Sequence, residues 1–537
     1  MGIVAILIIT AGFERFYAIN GCMMSPVTIN IKNSFFPFDE AYILSSKSRL
    51  NKKHKFIFHK SFCGFCDILN VGRMEMEFIG RENELNELQE AYGKPYGQNI
   101  LIYGRRRVGK TSLIRESLKY FNGKIISFVG LENVSLEANT RELEKKIKEV
   151  FQAPYLHFED FSSLLEYLYQ QSKQENVLLI LDEFPFLMEK ESGILSMIQI
   201  QVDKYQKNSH LNIVFSGSSF GKMKEITDHS SPLFGRFNRI IHLNSFDYYD
   251  AAKWAKGLTN EEKFSFYAVF GGLPYYLDNI DYSDSLEGNI KKLLLKSGSL
   301  FENEIKSTIL REIEKDSRSF NVLNLIANGK HTYAAINESL DGKGDGKATY
   351  ALKKLLEERT IEKLIPINFS SDKKTSYYIY DPLLEFYFNF VYPLESERAY
   401  MNVNNVFDLI KEKLYKNFLP RQFEKVAKEF LIRMNQSGKI EPPFRDIGHY
   451  CYYDIKGKKN LEFDVVTKNR DGYVNYECKY LNRKIDSKIV HNEINECQQK
   501  NIPFIQYGFI SKMGFESNVS DDVYQYSLDD MYSMIAK

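Results

Sequence analysis

Cysteine is scarce in this chain of 537 residues: Cys22, Cys63, Cys66, Cys451, Cys478 and Cys497 are all there are, and their spacing makes no disulfide framework. A stapled secreted scaffold is excluded, and a reducing compartment fits. Cys63 and Cys66 form a lone C-x-x-C without a second pair or a histidine pair nearby, so no zinc site is expected. Net charge is almost absent, Lys plus Arg at 71 against Asp plus Glu at 70. The molecule as a whole exerts no pull on a polyanion, and any nucleic-acid contact needs a local patch. Long apolar runs are missing too: residues 2–13 are apolar but stop at Glu14, short of the roughly 20 residues that cross a bilayer. No basic segment precedes them. No membrane partner and a cytoplasmic location are expected, and no internal repeat is visible.

Hydrophobic residues at 44% and charged residues at 26% are ordinary for a folded protein, and the length points to about three or four domains. Residues 1–73 lack clear periodicity, whereas Met74 and Met76 stand directly before well-patterned sequence. This stretch reads as a dispensable extension from an over-extended start. From Asn99 the runs NILIY, KIISFV, VLLILD and LNIVFSG alternate with amphipathic stretches, which predicts buried parallel strands in an α/β unit over 76–245. Helical patterns without strand signal over 246–300 predict a small helical lid. Over 301–395, helices near 305–314, 317–328, 332–340 and 348–359 precede two β-rich runs, TIEKLIPI and TSYYIYD, around a polar SSDKK turn. Three helices and a hairpin make a winged helix-turn-helix. The last unit, 400–537, has a basic helix, KNFLPRQFEKVAKEFLIRM, then NLEFDVV, YVNYECKY and IQYGFI in mixed α/β order.

Gly104-Arg105-Arg106-Arg107-Val108-Gly109-Lys110-Thr111 is a complete G-x-x-x-x-G-K-T loop between a strand and a helix that goes on through Ser112. A glycine-rich turn of this kind aims backbone N–H groups at phosphates, and the helix that follows offers its positive end. Lys110 is expected to reach the β- and γ-phosphates of ATP, and Thr111 to place its hydroxyl on Mg²⁺. The metal needs acidic help, which Asp182 supplies from a strand tip, while Glu183 is placed to orient and activate the attacking water. The plain alternative for this acidic pair is a helix N-cap.

FIGRENEL at 78–85, the loop at 104–111, LLILDEF at 178–184, FSGSS at 215–219, PLFGR at 232–236 and GGLPYYL at 271–277 together resemble the archaeal ATPase family. That family is a branch of the AAA+ and STAND (signal-transducing) ATPases, and many members carry a winged helix and a restriction-endonuclease-like C-terminal domain. The resemblance implies that Gly80 and Arg81 line the adenine and that Pro274 closes over it from the lid. It makes Ser218 a polar sensor near the γ-phosphate, with Ser216 a close competitor. Arg236 resembles an arginine finger, which stabilises charge on the γ-phosphate in the transition state and implies self-association; the plain alternative is a surface ion pair.

Near the C-terminus, Asp464 and Glu477 are separated by twelve residues on consecutive strand-like runs, and alternation puts Glu477 and Lys479 on one strand face. Two converging carboxylates can hold Mg²⁺, and a lysine beside them can position water. The pattern resembles the PD-(D/E)xK nuclease motif, which makes Glu424 the extra acidic residue of the first core helix and Glu462 a weaker ligand. A solvated hairpin face is the plain alternative. For DNA contact the candidates are Lys347, Lys353, Lys354 and Arg359 in the winged helix, and Lys411, Lys413, Lys416, Arg421, Lys425, Lys428 and Arg433 further on.

The expected fold is α/β: a P-loop AAA+ parallel sheet with a helical lid, then a winged helix and a mixed α/β restriction-endonuclease-like domain. The expected function is an ATP-driven switch coupled to a DNA-binding or DNA-cutting tail. A regulatory or scaffolding ATPase with a non-catalytic nuclease-like domain is the alternative, and a motor on duplex DNA a third.

Overall fold

Three strands come first: β1 (Val4–Thr10), β2 (Phe13–Ile19) and β3 (Pro26–Thr28) form an antiparallel sheet in that order. They belong to one of two units, Met1–Phe78 and Ile79–Lys537. The computed structural model describes these strands and residues 78–534, less 190, 192, 314–316, 341–346, 370–373 and 455–456. The Cys63–Cys66 pair, most of the 1–73 extension and most of the SSDKK turn lie outside the described residues.

In the second unit, β4 (Asn99–Gly104), β5 (Lys124–Val129), β6 (Val177–Asp182), β7 (Leu211–Gly217) and β8 (Arg239–Leu243) make a parallel sheet in the order β5-β6-β7-β4-β8. Every position of β6 and β7 is buried, because parallel strands are covered on both faces, and this is why their sequences are mostly apolar, broken only by Asn212, Ser216 and the terminal Asp182 and Gly217. Leu101, Leu179, Leu181, Ile213 and Phe215 pack in one core with Phe161, Leu165 and Leu168 of the helix Phe161–Gln171. Since β7 separates β4 from β6, the strand tips ending in Gly104, Asp182 and Gly217 stand side by side. That edge is where α/β sheets bind ligands.

The helical region that follows includes Asn260–Phe270, started by a capping box between Thr259 and Glu262. Helices Leu300–Ile313, Ser317–Ala327, Tyr333–Ser339 and Lys347–Glu357 lead to an antiparallel hairpin of β9 (Ile361–Leu364) and β10 (Ser376–Ile379). The chain after β9 is fixed to the next sheet: the Ile367 N–H donates to the His449 carbonyl at 2.9 Å, and the Asn368 amide donates to the Cys451 carbonyl at 2.8 Å.

That next sheet has the order β11-β12-β13-β14-β15: β11 (Asp446–Asp454), β12 (Lys459–Lys468), β13 (Tyr473–Lys479), β14 (Phe504–Ser511) and β15 (Tyr524–Ser527). The first three are antiparallel neighbours, and β14 and β15 add in parallel. The helix Leu419–Gln436 precedes it, and Ser487–Gln499 joins β13 to β14. The architecture is α/β, a P-loop-type parallel sheet with helices and a separate mixed sheet.

Three of the four basic residues of the helix Leu419–Gln436 are engaged by carboxylates of other elements: Lys425 pairs with Glu385 at 2.7 Å, Arg421 lies 3.8 Å from the same carboxylate, and Arg433 pairs with Asp247 and Asp250. Glu429 of this helix accepts from the Tyr248 N–H at 3.0 Å and the Tyr267 hydroxyl at 2.8 Å. Burial, then the charge of Asp247, pushes its carboxyl up to about 8. These bonds tie the helix to the helical region at 246–270, a role that local sequence does not reveal.

Candidate active site

The P-loop depends on two glycines for different reasons. Gly109 has φ 96°, a left-handed conformation that lets the loop turn into the helix Lys110–Ser117. At Gly104 a Cβ would lie 2.3 Å from the Leu243 carbonyl oxygen, so only glycine lets β8 run this close. Val108 is fully buried, while Arg106, Thr111 and Ser112 are exposed at the loop and helix start.

Lys110 is 6% exposed and donates to the carbonyls of Gly104 at 3.0 Å and Arg105 at 3.3 Å. Burial lowers its pKa, and the carboxylates of Glu183 and Asp182 oppose that shift. The Thr111 hydroxyl donates to Asp182 at 2.9 Å. Ser216, fully buried at the end of β7, donates to the other oxygen of Asp182, which also accepts from the Glu183 N–H at 3.0 Å. A hydroxyl and an anchored carboxylate side by side suit Mg²⁺, which takes few protein ligands and leaves the rest to phosphate and water. The donor set therefore fits the metal.

Glu183 takes a left-handed φ of 48°, and its carboxylate accepts from the Ser218 hydroxyl at 2.9 Å and the Ser218 N–H at 3.2 Å. The two competing serines thus divide the work: Ser216 holds Asp182 and Ser218 holds Glu183. Around the rim, Arg81, with φ 66°, lies over the Phe246 ring at 4.1 Å, and a Cβ on Gly80 would meet that ring at 2.8 Å. Pro274 approaches Gly109 at 3.6 Å, measured from where a Cβ would be. Arg81 also donates to the Val108 carbonyl at 3.4 Å, so Arg81 and Pro274 border the P-loop, and Gly80 directly precedes Arg81.

Arg236 is not brought to this cleft. Its carbonyl accepts from the Asn99 amide at 3.1 Å at the start of β4, roughly 17 Å along the strand from the P-loop at its end. Its guanidinium makes paired 2.8 Å bonds to Asp203, which raise the arginine's pKa and lower the aspartate's.

Two partners of the P-loop escaped sequence reading. Arg105 pairs with Asp381, which also caps the helix Pro382–Phe386, and Arg107 pairs with Glu304 at 2.6 Å while stacking on Tyr275 at 3.5 Å. Both acids are buried. No local motif marks either one, because each lies almost 200 residues or more from its arginine.

In the C-terminal sheet, the β12–β13 pairing ends at Val466 with Asn475, and beyond that end Glu477 still feels the charge of Asp464. Asp464 is exposed at its surface, yet desolvation raises its pKa against the opposing charges of Lys428 and Arg421. Glu424 is pushed up to about 8, by burial first and by the charge of Asp464 second. Burial also raises Glu477, and Lys479 opposes it. Lys479 donates to Glu477 at 2.9 Å and to Glu493 at 2.6 Å. Among the described residues, no three His, Cys, Asp or Glu side chains converge as a metal cage. Arg359, expected at a DNA face, instead packs on Phe220 at 4.4 Å and reaches Asn244 at 3.2 Å.

Comparison with known proteins agrees with the P-loop geometry. A family model described as an ATPase domain predominantly from Archaea matches residues 78–280, and one for archaeal and bacterial proteins of unknown function matches 387–492. An uncharacterized protein of Methanocaldococcus jannaschii is 30% identical over 397 residues, 73% of this chain and 84% of that one. An uncharacterized ATP-binding protein of the same organism is 43% identical over 42 residues, 8% of this chain and 71% of the relative. Among solved structures, a Walker-type ATPase of Pyrococcus abyssi is 20% identical with a TM-score of 0.45, over 58% of this chain and 96% of that one. The ORC2 protein of Aeropyrum pernix in ADPNP–ADP complexes is 14% identical with a TM-score of 0.42, over 63% and 97%. Among the described residues no helix is long and apolar enough to cross a membrane. Identity that runs through most of the long relative, together with the ATPase-domain match over the P-loop half, shows that the chain belongs to the archaeal ATPase family.

Proposed function

We propose that the chain is an ATP-hydrolysing switch whose nucleotide state governs a DNA-binding, DNA-cleaving C-terminal half. The observation that carries this reading is the pair of ion bridges from P-loop arginines to Asp381 and Glu304. Any shift of the P-loop on binding phosphate must be felt by the segments that hold those acids. In this reading 76–245 is the ATPase core, 246–300 its lid, 301–395 a winged helix with a linker helix and 400–537 a PD-(D/E)xK-like domain.

Lys110 and the loop N–H groups bind the phosphates, Thr111 and Asp182 hold Mg²⁺, and Gly80, Arg81 and Pro274 line the base. The ion's chemistry is charge neutralisation on the phosphate oxygens. Glu183 accepts the proton of the attacking water, and Ser218 fixes which way its carboxylate points. In the C-terminal half, Asp464 and Glu477 hold a divalent ion, with Glu424 as the additional acid, and Lys479 steadies the charge that develops on phosphorus. Incubating plasmid DNA with the full chain and Mg²⁺ or Mn²⁺, with and without ATP, tests the reading. Nicking that requires both ATP and Lys479 is expected; ATP-independent nicking, or none, contradicts it.

One observation favours the regulatory alternative, in which the C-terminal sheet binds without cutting. Lys479 is already committed to two carboxylates, Glu477 and Glu493, as a purely structural lysine would be.

Arg236 is too far from its own P-loop to act there, so as a finger it serves a neighbouring copy of the chain. Arg236→Ala is then expected to lower turnover by about 10³-fold with little change in ATP affinity, because a finger acts mainly in the transition state. Mixing this variant with Glu183→Gln restores some activity at shared interfaces. A fully active monomer would rule the role out.

A further inference from the structure

The β9–β10 hairpin is occupied on two sides by its own chain. On one side β9 turns Glu362 toward the helix Leu419–Gln436: burial raises this carboxyl, and the charges of Lys425 and Lys428 oppose the rise. Lys425 also reaches the Ile379 carbonyl at the end of β10, at 3.5 Å. An acid set against two lysines of the same chain suits an internal contact and would repel a phosphate backbone.

On the other side the hairpin is held by the C-terminal sheet. Past β9 the Ile367 N–H donates to the His449 carbonyl at 2.9 Å. The Asn368 side chain bonds both ways to Cys451, donating to its carbonyl at 2.8 Å and accepting from its N–H at 3.3 Å. This segment therefore covers backbone groups that the edge strand β11 would otherwise leave open. Ile367 packs against the core that holds Tyr450 and Val466. The contact lies beside the acidic residues: Cys451 is the register partner of Glu462, two residues before Asp464. Burial first, then the charges of Glu462 and Asp464, push the Tyr378 hydroxyl of β10 up to about 12. The hairpin and these carboxylates are thus close neighbours.

We propose that the hairpin is a self-restraining strap beside Glu462 and Asp464, and that in its closed position it holds duplex DNA off the C-terminal acidic cluster. This rests on the nuclease reading given above and adds regulation of that same site. Water and a divalent ion reach Asp464 with the strap closed, since the residue is exposed; a phosphodiester within a duplex needs the strap lifted. Lifting it breaks three hydrogen bonds and uncovers one isoleucine, a contact small enough to open locally without unfolding either sheet. The strap's base is β10, which ends two residues before Asp381, the partner of Arg105.

A reversible lock on the full chain tests the strap. A Cβ on Gly448 would lie 2.8 Å from Cγ2 of Ile367, so Ile367→Cys with Gly448→Cys removes that branch and brings two thiols within disulfide reach. Plasmid nicking with ATP and Mn²⁺ is measured with the bridge formed, verified by peptide mass, and with it reduced, the identically oxidised parent serving as control. Oxidation is expected to cut nicking by about 5- to 150-fold, the usual span of coupling between sites, and reduction to restore it. Asn368→Ala, which loses both bonds to Cys451, is expected to raise nicking without ATP by a factor in the same range. Equal nicking by the oxidised and reduced lock, or no rise in Asn368→Ala, would overturn the strap and leave the nuclease reading standing. A parent chain that nicks in no nucleotide state, with Asn368→Ala equally inactive, would remove the nuclease reading and the strap with it.

Discussion

Glu183→Gln is expected to slow ATP hydrolysis by about 10²- to 10⁴-fold, the usual contribution of a positioned general base, while ATP still binds. The amide keeps the shape that Ser218 grips but accepts no proton. Lys110→Ala acts at a different stage. It removes a buried cation that now donates to two loop carbonyls, so binding itself is expected to fail. Nucleotide binding and single-turnover hydrolysis measured on both variants separate the roles. Parent-like hydrolysis by Glu183→Gln would remove this glutamate from the mechanism.

The second large effect is expected in the C-terminal sheet. The double variant Asp464→Asn, Glu477→Gln should abolish Mn²⁺ binding, read by calorimetry on the full chain. It should also lower DNA cleavage by about 10³-fold, since a bound ion contributes several kcal/mol of charge stabilisation. Lys479→Met should lower cleavage while Mn²⁺ and DNA still bind. A structural lysine would give the opposite pattern, a loss of stability as Glu477 and Glu493 are left unpaired. Mn²⁺ binding that persists in the double variant would exclude these carboxylates as ligands.

The parts of the fold that were legible in sequence are those whose signal is local. β4, β6 and β7 stand out because burial on both faces makes them largely apolar, β5 because KIISFV is mostly apolar even at the sheet edge, and the P-loop because its glycines answer to backbone geometry. β8 was missed: RIIHL lies at a sheet edge and buries only Ile241 and Leu243, so its Arg and His mask the strand. The same holds for β11, an edge strand in which DIGHYCYYD buries only Tyr450, Cys451 and Asp454. Charge was the most misleading signal. Arg421, Lys425 and Arg433 look like a polyanion-binding face but are spent on internal carboxylates, and Arg359 looks like a base-reading residue but faces the ATPase core. The acids concerned, Glu385, Asp247 and Asp250, come from other elements, and only tertiary structure brings them together.

The central claim is that nucleotide state governs the DNA-facing half, and DNA affinity measured in different nucleotide states tests it most directly. With full-length Asp464→Asn to prevent cutting, anisotropy of a labelled duplex should give affinities that differ by about 5- to 150-fold between ATPγS–Mg²⁺ and ADP–Mg²⁺, the usual span of coupling between sites. Adding Lys110→Ala should abolish the difference. Identical DNA affinity in both nucleotide states, from a chain that binds both nucleotides, would contradict the account.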